Sequence, residues 1–236
     1  MTLTPGKTAT REEWLEARRA LLELEKAHTR QKDEITKARQ ALPWVRLERD
    51  YLFETDAGEA SLASLFRDHS QLVAYHFMFG PEWKAGCVSC SFWADSFNGL
   101  SAHLAARDIA FVAVSSAPMS MIAPFKQRMG WSFDWVSSSP GRFNEDFDVG
   151  FGPERTADRP LMYNFKQIDS APMDEMHGTS VFARDVEGAI YHTYSAYGRG
   201  LDATNAAYAY IDLTPAGRHE PATGGPMAWV RHHDAY

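Results

Sequence analysis

Two cysteines separated by two residues constrain the fold of this chain more than any other feature. Cys87 and Cys90 follow an apolar run, residues 71–79, that predicts a buried strand, and they precede a segment with helical spacing of apolar residues. The pair is therefore expected at a strand-to-helix turn. Backbone N–H groups at a helix start favour a thiolate, and the spacing brings both sulfurs within one helical turn. We predict a redox dithiol in which Cys87, nearer the solvent, attacks and Cys90 resolves.

The segments downstream of the cysteines predict an α/β fold. Apolar residues recur at helical spacing from Trp93 to Leu104, which predicts one continuous helix, and residues 109–114 form an apolar run typical of a strand in a parallel sheet. Three further elements are predicted: a helix over 115–129, a strand over 131–136 and a hairpin over 179–194. A strand–helix–strand unit carrying the cysteines, followed by a helix and an antiparallel hairpin, is the order of a thioredoxin-like fold.

The chain is predicted to divide into an N-terminal helical extension, residues 1–43, and a thioredoxin-like domain over 44–236 with a long insertion at about 137–178. Thr10 and Glu13 form a capping-box pattern that starts a long helix, which Pro43 ends. Its apolar stripe is narrow. Two interpretations stay open: a solvated helix laid across the domain, or an arm for homodimerisation.

Composition narrows the classes of partner. The 236 residues carry 24 Lys and Arg against 31 Asp and Glu, a net charge of −7, so no electrostatic footprint favours nucleic acid or an anionic membrane. No apolar run approaches the roughly 18 residues that span a bilayer, and residues 1–12 lack the apolar centre of a signal peptide. We therefore expect a cytoplasmic protein, in which two cysteines serve reversible redox use rather than a disulfide scaffold.

Several residues near the dithiol permit two interpretations. The cysteines themselves fit a redox pair, half of a zinc site, or a remnant of the fold without catalysis, and the nine histidines show no paired ligand spacing. His76 is either a core histidine or a group near the thiols. Trp83 either shields the thiols or docks a partner, and Asp95 is either a proton acceptor for the buried thiol or an exposed helix charge.

Short motifs spread along the chain carry a more specific signal, in residues 78–80, 86–91, 128–131, 135–138, 143–144, 192–195, 199–202 and 212–215. Together, from about Ala41 to the C-terminus, they resemble a bacterial thioredoxin-like family catalogued as domain of unknown function 899. The resemblance implies a thioredoxin-like fold, and we predict a mixed sheet flanked by helices, with an N-terminal helical extension and a C-terminal extension. It implies no established reaction.

The chain departs from better-known relatives of that fold. Thioredoxins carry Trp before the first cysteine and Gly-Pro between the two, where this chain has Gly86 and Val-Ser, so their redox potential does not transfer. The position of their cis-proline corresponds to residues 177–179, which contain no proline. The segment 56–62 is similar to peroxiredoxins, but their Pro-Thr-Cys spacing is not matched.

We predict a thiol–disulfide oxidoreductase that acts on a protein or small-molecule disulfide without a metal or other cofactor. A dithiol peroxidase and a non-catalytic binding or assembly protein are the alternatives, so enzyme activity stays open. Besides the cysteines, the candidate binding residues are those flanking the dithiol, those at the position of the missing proline, and those on an aromatic strand ending in a cation: Trp83, Gly86, Ser91, His177, Gly178, Thr179, His192, Tyr194 and Arg199.

Overall fold

A computed structural model describes residues 6–153, 155 and 159–236. Residues 1–5 of the predicted extension, and residues 154 and 156–158 of the predicted insertion, lie outside the described residues. The chain divides into two compact units, Met1–Pro43 and Trp44–Tyr236.

The helices and strands follow one another along the chain with these bounds. The α-helices are α1 (Arg11–Gln40), α2 (Leu62–Leu65), α3 (Val88–Ala94), α4 (Leu100–Ala105), α5 (Met119–Arg128), α6 (Phe143–Asp146) and α7 (Ala206–Ile211). The strands are β1 (Val45–Arg46), β2 (Leu52–Thr55), β3 (Gly58–Ser61), β4 (Gln71–His76), β5 (Ile109–Ser115), β6 (Trp135–Ser137), β7 (Met162–Tyr163), β8 (Lys166–Gln167), β9 (Gly178–Arg184) and β10 (Ile190–Tyr197). Short 3₁₀ helices cover Gly198–Thr204 and His233–Ala235.

Helix α1 begins at the predicted capping box. The Glu13 N–H donates to the Thr10 hydroxyl at 3.2 Å, and the Thr10 N–H donates to the Glu13 carboxylate at 2.8 Å. Each cap satisfies one of the backbone donors that a helix start leaves unpaired. None of the side chains of α1 is buried, and Trp14 and Leu24 are among its exposed apolar residues.

The main sheet confirms the predicted thioredoxin-like class. Its strand order is β1-β10-β9-β4-β5-β6-β2-β3. Strands β4 and β5 are parallel, β9 runs antiparallel to β4, and β10 runs antiparallel to β9. The βαβ unit with the cysteines at its first helix is therefore extended by an antiparallel hairpin, as the sequence predicts. No helix among the described residues is long and apolar enough to cross a membrane.

Side chains of β4 alternate between two cores, because neighbouring residues of a strand point to opposite faces. Tyr75 belongs to the core on the face that also holds Cys90 and Trp93. Leu72 and Ala74 belong to the core on the other face. The dithiol thus lies on one defined face of the sheet, which decides which predicted residues can reach it.

Some elements of the structure differ from the predicted ones in their bounds or in their presence. The continuous helix after the cysteines is wrong: α3 and α4 are separate, and Gly99 between them has φ 79°, outside helical geometry. Strand β3 was not predicted; it pairs with β2. The predicted irregular insertion contains α6 and the β7–β8 hairpin, and the strand predicted over 131–136 is reduced to Trp135–Ser137.

Candidate active site

Cys87 is held at the start of α3 by the backbone of the preceding loop. It occupies the N-cap position, with φ −55° and ψ 128°. Its N–H donates to the Met78 carbonyl at 3.0 Å, which ties the helix start to the segment that continues β4. Ser91, a predicted binding residue, is fully buried, and its hydroxyl donates to the Cys87 carbonyl at 2.9 Å. Ser91 therefore fixes the first turn of the helix.

The two thiols have opposite environments. Both are free cysteines; Cys87 is partly exposed, whereas Cys90 is 2% exposed. A hydrogen bond from the Cys90 thiol, with backbone N–H groups of Ser89 and Cys90, lowers the pKa of Cys87 to about 7 against the opposing effect of burial. Burial, together with the neighbouring Cys87, raises the pKa of Cys90 well above its usual range. At neutral pH the reachable sulfur is thus the one poised to ionise.

Cys90 lies against the same stretch of backbone as Cys87. The Met78 N–H points at the Cys90 sulfur at 3.5 Å, while the Met78 carbonyl accepts from the backbone N–H of Cys87. The phenol ring of Tyr75 belongs to the same core as Cys90, and its side chain is 2% exposed. Both cysteines are therefore positioned by β4 and its continuation.

Gly86, directly before the first cysteine, has no room for a side chain. A Cβ there would lie 2.7 Å from ring atoms of both Phe77 and Phe125. The carbonyl of Gly86 accepts from His232 Nε2 at 3.0 Å, so the C-terminal segment reaches the dithiol loop. Close packing explains the glycine at the place where thioredoxins carry tryptophan.

A cleft of about 540 Å³ opens beside Ser89, which lies between the cysteines. Its lining combines aromatic rings, charged groups and a glycine-rich rim: Ser89, Trp93, His177, Gly198, Arg199, Asp202, Tyr208, Arg218, Glu220, Gly224, Gly225, Pro226, Met227 and Ala228. This volume matches that of ordinary small-molecule sites.

Two of the predicted binding residues, His177 and Arg199, line this cleft. The rings of His177 and Trp93 are 5.7 Å apart, and burial lowers the pKa of His177, so its imidazole stays neutral near pH 7. Arg199 is 88% exposed and forms an ion pair with Asp202 at 3.1 Å, which Arg218 shares at the same distance. The cleft wall thus presents an exposed guanidinium beside an aromatic floor.

The remaining predicted residues on the hairpin divide between the two faces. Thr179 is paired with Tyr75 and so lies on the dithiol face, and Tyr194 packs against the core there. Gly178 is paired with His76, and a Cβ on it would lie 2.7 Å from the Tyr197 ring.

His192 lies away from the dithiol, on the opposite face of the sheet. Its Nε2 is 2.8 Å from the Ser195 hydroxyl, and its ring packs against Phe147 and Phe182. The structure therefore does not bring His192 together with the cysteines. A bulge between His192 and Tyr194 shifts the register of β10, so simple alternation along the strand does not predict this separation.

The structure shows the surroundings of three residues whose roles the sequence leaves open. His76 is a core histidine, 1% exposed, with Nε2 2.9 Å from the Ser180 hydroxyl. Trp83 is partly buried and packs against the core of the dithiol face. The Oδ1 atom of Asp95 accepts from Trp131 Nε1 at 2.9 Å and lies 2.7 Å from His233 Nδ1, so the contacts found for this carboxylate are with these two side chains.

Sequence reasoning missed a buried carboxylate behind the dithiol loop. Glu175 is 3% exposed; it accepts from the Phe79 N–H at 2.8 Å and from Asn144 Nδ2 at 2.9 Å. Burial raises its pKa to about 7. An isolated glutamate in a polar run gives no signal of this role. Within the described residues, no group of three or more His, Cys, Asp or Glu side chains is arranged to hold a metal ion.

Comparison with known proteins gives one family match. The bacterial protein family of unknown function DUF899 matches residues 3–236. No curated protein matches the sequence.

Solved structures resemble the chain at low identity. Peroxidoxin BcpB from Mycobacterium tuberculosis is 17% identical. The match covers 72% of this chain and 96% of the peroxidoxin chain, with a TM-score of 0.45. A cysteine-to-serine variant of peroxiredoxin Q from Xanthomonas campestris is 18% identical, with coverage of 67% and 90% and a TM-score of 0.44. A protein assigned as thiol:disulfide interchange protein DsbE from Chlorobium tepidum is 14% identical, with coverage of 72% and 96% and a TM-score of 0.41.

Proposed function

This chain belongs to the DUF899 family of bacterial proteins, and we propose that it is a thiol–disulfide oxidoreductase whose dithiol is Cys87 and Cys90. The Cys87 thiolate attacks one sulfur of a disulfide, forms a mixed disulfide and releases one substrate thiolate. The Cys90 sulfur then attacks the Cys87 sulfur, the second substrate thiolate leaves, and the proton of Cys90 passes to a released thiolate. Two electrons move from the dithiol to the substrate.

The observation that carries this proposal is the asymmetry of the pair. A nucleophile must be exposed and ionised near neutral pH, and the pKa of Cys87 is lowered to about 7. A resolving thiol must be kept from attacking outside substrates, and Cys90 is buried with a raised pKa. Two cysteines that only packed the core would not need one reachable thiol with a lowered pKa and one buried thiol with a raised pKa. We expect a reducing compartment, the cytoplasm, to keep both thiols available.

We propose that the cleft beside Ser89 receives the substrate disulfide. Its position next to the dithiol supports this, as do the exposed guanidinium of Arg199 and the ring of His177. Trp83 would contact a partner from the loop side of the dithiol, where its side chain is partly exposed. A protein loop and a small-molecule disulfide both fit a groove of this kind.

Insulin reduction with dithiothreitol as the electron donor tests the proposal. We expect the wild-type protein to accelerate precipitation of the insulin B chain and Cys87→Ser to abolish the acceleration. Cys90→Ser is the matched control, because it keeps the nucleophile; when reduced and mixed with insulin after dithiothreitol is removed, it should accumulate a covalent mixed disulfide. If wild type and Cys87→Ser are equally inactive with insulin and with glutathione disulfide, the proposal is wrong.

The same protein distinguishes the peroxidase alternative. Reduced wild type is mixed with hydrogen peroxide and its thiol loss is followed by stopped flow. Oxidation faster than that of free cysteine, together with no disulfide exchange, would replace the oxidoreductase by a dithiol peroxidase in which Cys90 traps a sulfenic acid on Cys87.

A further inference from the structure

Tyr75 presents an unsatisfied hydroxyl to the buried cysteine. The residue lies on β4, its side chain is 2% exposed, and its hydroxyl has no hydrogen bond of regular geometry among the described residues. Its ring packs against Phe77 and Phe97 in the same core as Cys90, and Cys90 is the ionisable neighbour that most affects the pKa of its hydroxyl, followed by Cys87. Leaving a buried hydroxyl unpaired costs free energy, and that cost is recovered in any state of the dithiol in which the hydroxyl finds an acceptor.

The other polar groups around Cys90 are already committed. The Met78 N–H points at the sulfur at 3.5 Å. Tyr163 is the second phenol near Cys90, but its hydroxyl donates to the His177 carbonyl at 3.0 Å and accepts from the Gly198 N–H. Within the part of the chain that the structure describes, Tyr75 therefore holds the one buried O–H donor that we find without a partner in the core around Cys90.

We propose that Tyr75 is a catalytic residue of the resolving step, in which its hydroxyl donates a hydrogen bond to the Cys90 sulfur as that sulfur becomes anionic. This inference rests on the proposed oxidoreductase function. In the resting protein the Cys90 thiol donates to Cys87. Once Cys87 is in a mixed disulfide, Cys90 loses its proton to the released substrate thiolate and attacks the Cys87 sulfur. Tyr75 and Met78 then satisfy the negative charge inside the core.

Tyr75 acts as a donor and keeps its own proton throughout. Burial and the adjacent Cys90 raise the pKa of Tyr75 well above its usual range, so the phenol stays neutral. Hydrogen bonds to charged groups contribute roughly twice as much as those between neutral groups. The bond therefore forms most strongly when Cys90 is a thiolate and weakly when it is a thiol, which is the differential stabilisation that accelerates a step.

A two-phase reaction with 5,5′-dithiobis(2-nitrobenzoate) separates attack from resolution. The first equivalent of coloured thiolate reports attack by Cys87, at a rate proportional to reagent concentration, and the second reports resolution by Cys90 at a rate independent of it. Tyr75→Phe removes only the hydroxyl. We expect the first phase to change less than twofold and the second to slow about tenfold or more, since a charge-assisted hydrogen bond is lost.

Tyr197→Phe provides the matched control. Tyr197 is a buried tyrosine of β10, and its hydroxyl donates to the Phe147 carbonyl at 3.0 Å, away from the dithiol. That variant should lose stability and leave both phases unchanged, whereas Tyr75→Phe should unfold at the wild-type temperature or above. An unchanged second phase in folded Tyr75→Phe overturns the inference. This reagent reacts with any accessible dithiol, so failure of the insulin assay would leave this result readable.

Discussion

The hydrogen bond between the two cysteines gives the sharpest test of how the nucleophile is activated. It is the largest contribution to the lowered pKa of Cys87, ahead of the backbone N–H groups of Ser89 and Cys90. Cys90→Ala removes the donor and keeps a small apolar side chain in the core. Cys90→Ser replaces the thiol by a hydroxyl that still donates. We expect the pKa of Cys87 to rise in the alanine variant and to stay low in the serine variant.

The size of the effect follows from the fraction of thiolate. With a pKa of about 7, about half of Cys87 is ionised at pH 7, against roughly 3% for an ordinary thiol of pKa about 8.5. A Cys87 that returned to this ordinary pKa in Cys90→Ala would lose about fifteenfold in thiolate fraction, and the backbone N–H groups that remain make this the upper limit. A thiolate of higher pKa is intrinsically more nucleophilic, by about fivefold over this interval at a Brønsted coefficient of about 0.45. The net rate of alkylation at pH 7 should therefore fall by at most about threefold.

Iodoacetamide alkylation across pH 5 to 10, with mass-spectrometric assignment of the modified cysteine, measures both quantities. The wild-type profile should have its midpoint near the Cys87 pKa of about 7, and Cys90→Ser should resemble it. In Cys90→Ala we expect the midpoint to move up by more than one pH unit. If the alanine and serine variants have the same low midpoint, the backbone at the helix start activates Cys87 without Cys90, and the reasoning is refuted.

Two further predictions concern the rest of the chain. Because the pKa of Glu175 is raised to about 7, its stabilising contribution is complete below about pH 4.5 and lost as pH rises through 7; urea unfolding at pH 5 and 8 should show the stability of wild type relative to Glu175→Gln falling by about 2–3 kcal/mol. His76, with its pKa lowered to about 4, produces the opposite slope in both proteins and cancels in this difference, and a difference that does not change with pH contradicts the prediction. The exposed leucines of α1 lead us to expect a homodimer, so Leu21→Asp with Leu24→Asp should halve the mass measured by light scattering, whereas Leu213→Asp, an exposed leucine outside α1, should not. A wild-type monomer would reject the dimer.

The core of the fold could be predicted because its signals are local. Apolar runs mark β4 and β5, Gly188 marks the β9–β10 turn with φ 88°, and the spacing of the cysteines places them on the first turn of α3. Each of these features depends on fewer than ten consecutive residues. Their order along the chain then limits the fold to one arrangement of the parallel pair and the hairpin.

The surroundings of the dithiol could not be predicted in the same way, because they come from distant segments. Glu175 reaches the Phe79 backbone across 96 residues of chain, and His232 reaches Gly86 across 146. Arg218 enters the cleft wall from the C-terminal segment. No local pattern records such contacts, since they depend on how the insertion and the tail fold back over the sheet.

Tyr75 lies between these two cases. Alternation along β4 places it on the face opposite to Ala74, and the helix that carries Cys90 covers one face only. The sequence thus allows two equal choices for Tyr75, and only the packing of α3 selects between them. The same packing sets the Met78 N–H against the Cys90 sulfur, while the Met78 carbonyl accepts from the Cys87 N–H. Strand β4 and the segment that continues it therefore supply both donors that we assign to the Cys90 thiolate, and a shift of β4 by one residue would turn the phenol away from the dithiol face.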